Sequence, residues 1–207
     1  DKTIKTKIVF LLQGGNMETE ATIERIIEGT IEEFKVNGIK FTMDGLTKRI
    51  GMSKRTLYEI VSSKQELFEL MIDRTFADVK SQQKRIFEND QLTLLEKTER
   101  LFSIVPAYSD RLDYRRVNEI KYAYPKIYKK IHEYINNDWD RTIKLLEDGM
   151  DAGIIRRKNL IILKAILCEA FEKLLDGEFL IRNNITYEIA LKEMISIIME
   201  GLVIQER

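Results

Sequence analysis

From residue 19 onward, apolar side chains return every three to four positions, the spacing of one face of an α-helix. Ile23, Ile26, Ile27, Thr30, Ile31 and Phe34 form the first stripe, and Asn37-Gly38 behind it reads as a helix stop. Two short helical pieces come next. Thr42 can cap one that runs to Ile50, Gly51 breaks it, and Ser53 can cap another that runs to about Ile60. Ser63 with Glu66 three residues on is a capping box. It predicts a long helix over 63–88, with Leu67, Phe68, Met71, Ile72, Thr75, Val79 and Ile86 on one side. Thr93 and Glu96 form a second box, opening a helix with Leu94, Leu95, Thr98, Leu101, Phe102 and Val105 that Pro106 ends.

A helix over about 113–124 comes next. Pro125 then suits the first turn of one long helix carrying Ile127, Ile131, Ile135, Trp139, Ile143, Leu146 and Met150 and stopping at Gly153. Asn159 can cap a helix through Leu175, and Thr186 one through Val203. These last two are apolar around more than one face, whereas a helix facing only its own core needs a stripe of about 100°. The surplus predicts a second burial, most simply against another copy of the chain. Leu163, Leu167, Phe171, Leu174, Leu191, Met194, Ile198 and Leu202 are the expected dimer-interface residues. No strand alternation, βαβ pattern or internal repeat breaks the series, so the fold class is all-α.

Composition fits this reading. Only 2 Pro and 10 Gly occur in 207 residues, and few chain breakers favour long helices. One Cys, Cys168, excludes an intrachain disulfide framework, and one His, His132, argues against a His-based metal or catalytic site. Without a Gly-rich phosphate loop as well, the common catalytic constellations are absent and the chain reads as no enzyme, with no cofactor expected. The longest apolar run, Ile8–Leu12 behind Lys2, Lys5 and Lys7, is too short for a signal peptide or a membrane span, so a cytoplasmic protein with no membrane partner is expected. Residues 1–16 share no pattern with the rest of the chain; a leader or tag remnant before a start at Met17 and an ordinary N-terminal arm both fit.

Lys+Arg and Asp+Glu each number 34, so function has to be read from where the charge lies. Between Lys40 and Gln65 stand six basic residues (Lys40, Lys48, Arg49, Lys54, Arg55, Lys64) against Asp44 and Glu59. A local basic excess on two short helices joined by a tight Gly-containing turn is the footprint of a helix-turn-helix that binds nucleic acid. If Leu57 and Ile60 pack inward, Lys54, Arg55, Tyr58 and Glu59 are left outside. Arg can read guanine edges, and Lys or Tyr can hold phosphates. The first turn of the helix beginning at Ser63 and Lys64 can also receive a phosphate.

The stretch GIKFTMDGLTKRIGMSKRTLYEIVSSKQELF resembles the DNA-binding region of the TetR family of bacterial transcriptional regulators. It shares that family's Thr opening the second helix, its S-K-x-T-L-Y in the third and its S-K-x-E-L opening the fourth. The match covers about Glu20–Met71. The resemblance implies an N-terminal three-helix helix-turn-helix DNA-binding domain, residues 17–66, followed by a larger helical ligand-binding and dimerisation domain, residues 67–207. It implies a dimeric regulator, more often a repressor, that binds double-stranded operator DNA and is released by a small-molecule effector. Carried over by position, Thr42, Tyr58 and Lys64 match phosphate contacts, Lys54, Arg55 and Thr56 positions near the major groove, and Ser53 opens the motif. Three positions depart from the pattern. Arg55 stands where Gly is frequent, Thr47 where Ala is usual, and Glu59, Ile60 and Val61 where aromatic residues or His are usual. Glu59 would repel phosphate unless it accepts from a cytosine amino group.

In the larger domain the resemblance implies an effector cavity among the central helices. Tyr108, Tyr122, Tyr128, His132, Trp139, Cys168 and Phe171 are the candidate lining residues, and an aromatic, weakly charged cavity would suit a lipophilic or planar compound. A buried, inert thiol is the ordinary alternative for Cys168. The competing function is a helical protein–protein interaction module without sequence-specific DNA binding.

Overall fold

The computed structural model describes residues 17–109, 111, 114–175 and 177–204; residues 1–16 lie outside them. The described residues form helices α1 (Met17–Asn37), α2 (Met43–Arg49), α3 (Lys54–Ile60), α4 (Lys64–Phe87), α5 (Leu94–Phe102) and α6 (Tyr114–Ala123), with a 3-10 turn at Gly38–Lys40. They continue as α7 (Pro125–Asn136), α8 (Asp140–Asp151), α9 (Leu160–Leu175), α10 (Gly177–Arg182) and α11 (Tyr187–Leu202). The only strand-like feature described is one antiparallel bridge, Ile155 to Val203.

The helix starts follow the expected caps. Thr42, Ser53, Ser63, Thr93 and Thr186 each accept from the backbone N–H three residues on, satisfying a donor that has no partner inside the helix. The Thr93–Glu96 box is complete, with Glu96 Oε2 accepting from Thr93 N at 2.8 Å. The Ser63 box is only half formed, because the Glu66 carboxylate reaches one residue further back and accepts from Ser62 N at 2.6 Å.

Two expectations are corrected, and one helix is new. The single helix from Pro125 to Gly153 is two helices, because Asp138 adopts a left-handed backbone (φ 61°) between them. Its carboxylate meets Lys80 Nζ at 2.6 Å, and the apolar stripe continues across the break because both halves face inward. The helix opened at Thr93 ends at Phe102, before Val105. The short helix α10 has no forerunner in the sequence reading; its six residues are fewer than two turns, too few for a periodic stripe.

Two apolar clusters organise the chain. The first joins α1, α2, α3 and the start of α4 through Ile23, Ile27, Phe34, Leu46, Leu57 and Phe68, and takes in Ile120 of α6 and Ile127 of α7. The second joins α5, α8, α9, α10 and α11 through Leu101, Leu146, Leu167, Leu180, Leu191 and Ile195. Helix α4 runs through both regions. Between them, the outer face of α1 is tied to the segment around α6 by polar contacts: Tyr108 OH donates to Glu24 at 2.5 Å, Arg111 lies 3.3 Å from Glu28, and Glu119 accepts from Ile39 N at 3.0 Å.

Candidate nucleic-acid interface

Helices α2 and α3 are about two turns each, and the turn between them is set by Gly51, whose φ of +57° favours a residue without Cβ. Helix α2 seats on α1 where Gly29 removes a side chain; a Cβ there would lie 2.1 Å from Ile50 Cγ2. From the same helix the Arg25 guanidinium donates to the carbonyls of Ile50 and Gly51, the latter at 2.9 Å, closing the free C-terminal end of α2. Arg49 is held to α1 as well, with Nε 2.6 Å from the buried Glu33 carboxylate. Arg25 and Arg49 therefore fix the angle of the hairpin rather than extend the basic face. Sequence reasoning missed Arg25 because it stands beside the apolar stripe with no local partner, and its acceptors are 25 residues away in the chain.

On α3 the sidedness matches expectation. Leu57 is fully buried, Ile60 half-buried, and Lys54, Arg55, Tyr58 and Glu59 are exposed. Lys54 Nζ lies 2.6 Å from Asp44, and Arg55 Nε lies 3.0 Å from Glu59. Both pairs are solvent-exposed, and such pairs are worth at most about 1 kcal/mol, so phosphate or a base edge can replace them. Glu59, the residue expected to repel phosphate, is set against Arg55. Ser53 Oγ accepts from Thr56 N and shares a hydrogen bond with the Thr56 hydroxyl at 2.8 Å, so both residues serve the cap. Thr42 Oγ1 accepts from Gly45 N, which leaves its own hydrogen for an outside acceptor. Thr47, in place of the usual Ala, donates to the Asp44 carbonyl at 2.9 Å and is buried. Lys64 is half-buried: Nζ donates to Ile39 O at 2.8 Å and lies 5.0 Å from the centre of the Phe41 ring, using one of its three donors.

A second feature lies among the later helices. A cleft of about 900 Å³, counting the part open to solvent, is walled by α4, α5, α7, α8, α9 and Tyr187 of α11. Phe76, Phe102, Tyr134, Trp139 and Phe171 give it an aromatic lining. Phe76 and Tyr134 stack with centroids 4.4 Å apart. The Tyr134 hydroxyl donates to Asp73 and Trp139 Nε1 donates to Ile135 O, each at 2.8 Å, so both offer only their rings.

Of the seven candidate cavity residues, Trp139 and Phe171 are brought into this cleft. Tyr108 sits against α1 through Glu24, Tyr122 is 81% exposed, and Tyr128 carries Lys121 over its ring at 4.7 Å. His132 is exposed beside Glu172 at 3.3 Å, and Cys168 is buried with its thiol 3.6 Å from Ile135 O. Burial pushes that thiol above its ordinary pKa, away from the reactive thiolate. Phe76, Phe102 and Tyr134 were missed because they come from three helices whose meeting no local pattern shows.

The expected dimer residues also divide. Leu163, Leu167, Leu174, Leu191 and Leu202 are buried within the chain's own core, and Phe171, Met194 and Ile198 are half-buried. The apolar surface left outside is a neighbouring stripe: Ile161, Ile162 and Ile166 on α9, and Ile189 and Ile197 on α11. Two helices apolar on both sides carry no mark in the sequence of which side is inward.

No described helix is long and apolar enough to cross a membrane. Residues 26–71 match the bacterial regulatory proteins of the TetR family. The Bacillus subtilis (strain 168) protein YvaF, an uncharacterized HTH-type transcriptional regulator, is 26% identical over 183 residues, covering 88% of this chain and 96% of its own. Two solved structures share the fold. A Clostridium perfringens protein described as a candidate regulator of fatty acid metabolism superposes with a TM-score of 0.57 at 20% identity, covering 87% of this chain and all of its own (100%). The Bacillus subtilis transcriptional regulator FadR, solved in complex with stearoyl-CoA, superposes with a TM-score of 0.56 at 14% identity, covering 86% and 98%. With the helix-turn-helix geometry of α2 and α3, the match over residues 26–71 gives this chain a DNA-binding segment similar to that of the TetR family of bacterial transcriptional regulators, on a fold shared with solved regulators.

Proposed function

We propose that this chain is a homodimeric, ligand-responsive repressor in the cytoplasm, which grips operator DNA through α2 and α3 and lets go when a lipophilic effector fills the aromatic cleft. The observation that carries it is the exposed Lys54–Arg55–Tyr58 face of α3, raised on the buried Leu57 and following a helix α2 whose end Arg25 ties to α1. Lys54 and Arg55 approach the major groove; Thr42, Tyr58 and Lys64 hold phosphates; Ser53 and Thr56 fix the start of α3. Residues 17–66 form the DNA-binding part and residues 67–207 the effector and dimerisation part, with α4 shared between them.

The exposed isoleucines of α9 and α11 support a dimer with α9 and α11 of a second copy. Two recognition helices about 34–36 Å apart could then read two half-sites on one face of the duplex. The effector must bind the non-fitting state better than the DNA-fitting one, because equal affinity shifts nothing. The stearoyl-CoA bound to FadR supports a lipophilic effector.

The self-pairing of Lys54 and Arg55 with Asp44 and Glu59 is the observation that favours the rival reading, an interaction module with a neutralised helix. Replacing Lys54 and Arg55 with Ala in the full chain separates the two. A repressor loses DNA affinity, and its logarithmic salt slope shallows by about two contacts' worth per chain, about four for the dimer. Unchanged affinity and slope would overturn the DNA-binding role of α3.

A further inference from the structure

Among the described residues, the aromatic cleft contains one buried polar group that the protein leaves unused; the Gln83 and Asn137 amides on the same wall are at least partly open to water. Thr142 lies in the first turn of α8, lines the cleft and is only 7% exposed. Its hydroxyl has no hydrogen-bond partner among the described residues, whereas Tyr134 OH and Trp139 Nε1 at the cleft wall are both spent on the protein. A buried, unpaired hydroxyl costs stability, and such a group persists where something outside the protein satisfies it.

The surroundings say what kind of group that would be. Thr142 is in the first turn of a 12-residue helix that no side chain caps, so unpaired N–H groups and the positive end of the helix dipole lie beside it. Hydroxyl, N–H groups and dipole all favour an acceptor oxygen. The rest of the lining is mostly hydrocarbon and aromatic. Its charged pair, Lys80 with Asp138, is bonded to itself and more than half exposed.

We infer that the cleft takes a largely hydrocarbon or aromatic ligand bearing one acceptor oxygen, a carbonyl or a carboxylate, received by the Thr142 hydroxyl at the uncapped first turn of α8. This deepens the effector reading and rests on it. Thr142 is then the specificity-determining residue of the cleft, because a ligand lacking the oxygen leaves the hydroxyl unpaired.

Three probes of similar shape test it by calorimetry on the full chain: butyrophenone, 4-phenylbutanoate, and butylbenzene, which has a methylene where butyrophenone has its carbonyl. Emission of Trp139, the protein's single Trp, reports arrival in the cleft. At least one oxygenated probe should bind about tenfold more tightly than butylbenzene. Thr142→Val should remove that preference by weakening the oxygenated probes relative to butylbenzene, and should raise the melting temperature of the free protein. Thr142→Ser should keep the preference. Whichever of ketone and carboxylate binds better identifies the oxygen's source. Equal binding of all three probes, unaffected by T142V, would overturn the role of Thr142 and leave the cleft as an effector site. No binding of any probe, with Trp139 emission unmoved, would overturn the cleft reading as well.

Discussion

Lys54 and Arg55 owe their availability to how weakly they are held. Each faces a carboxylate of its own chain across an exposed gap, and exposed pairs exchange partners at little cost. Arg25 and Arg49 are the same residue types put to the opposite use, one closing the end of α2 and the other paired with a buried Glu. Composition counts all four alike; only the three-dimensional placement separates contact residues from struts. Three tyrosines show burial acting on single groups. Burial pushes Tyr187 up to about 12, and burial with a hydrogen bond to a carboxylate pushes Tyr134 (Asp73) and Tyr108 (Glu24) higher still. An unfolded tyrosine titrates near 10, so above that pH the unfolded chain loses protons that the folded chain keeps. Their contribution is complete below about pH 10 and is lost as pH rises toward the folded values. Urea unfolding from pH 8 to 11 should therefore show stability falling above about 10, less steeply in Tyr134→Phe. A flat profile, or one the variant leaves unchanged, would contradict the assignment.

At the scale of elements, α1 through α5 were legible because their start signals are local. A cap residue and an apolar stripe within two turns name a helix, and Thr42, Ser53, Ser63 and Thr93 all cap as expected. The break between α7 and α8 was not legible, since Asp138 looks like any polar helix residue until its left-handed backbone and its bond to Lys80 are seen. The seat of α2 on α1 is likewise hidden in one glycine. Gly29→Ala should destabilise the chain by up to about 2 kcal/mol, because overpacking costs about 1–3 kcal/mol and the gain in helix propensity, about 1 kcal/mol, offsets part of it. The contact at 2.1 Å is with a buried, β-branched Ile50, which has little room to yield. Gly201→Ala on α11, with nothing within 4 Å of the added Cβ, should instead gain about 0.5 kcal/mol. Urea denaturation of both variants checks the pair, and a Gly29→Ala that stabilises as Gly201→Ala does would contradict the close approach of α1 and α2.

For the whole molecule, the sequence carried the family through a short stretch in which Thr42, Ser53, Thr56, Tyr58 and Lys64 keep fixed spacing. The later helices offered only apolar richness, which can be buried in a core or against a second copy. The fold resolves this by turning Leu167 and Leu191 inward and leaving Ile161 and Ile197 outside, at 79% and 69% exposure. Ile161→Glu with Ile197→Glu should convert a dimer into a folded species of one chain's mass, 24.4 kDa, by light scattering after gel filtration. A wild-type chain that is already monomeric, or a double variant that stays dimeric, would contradict the α9–α11 interface. The cleft was the least legible part, because its walls come from six helices and only Trp139 and Phe171 of the expected residues reach it.

Everything proposed for the molecule depends on α3 reading a specific duplex. Fluorescence anisotropy tests it most directly, with labelled DNA from upstream of the protein's own gene, scrambled DNA as the control, and a series of salt concentrations. Binding should be tight, prefer the native sequence, weaken as salt rises and saturate at an even number of chains per duplex. The absence of binding to either DNA, even at low salt, would contradict it.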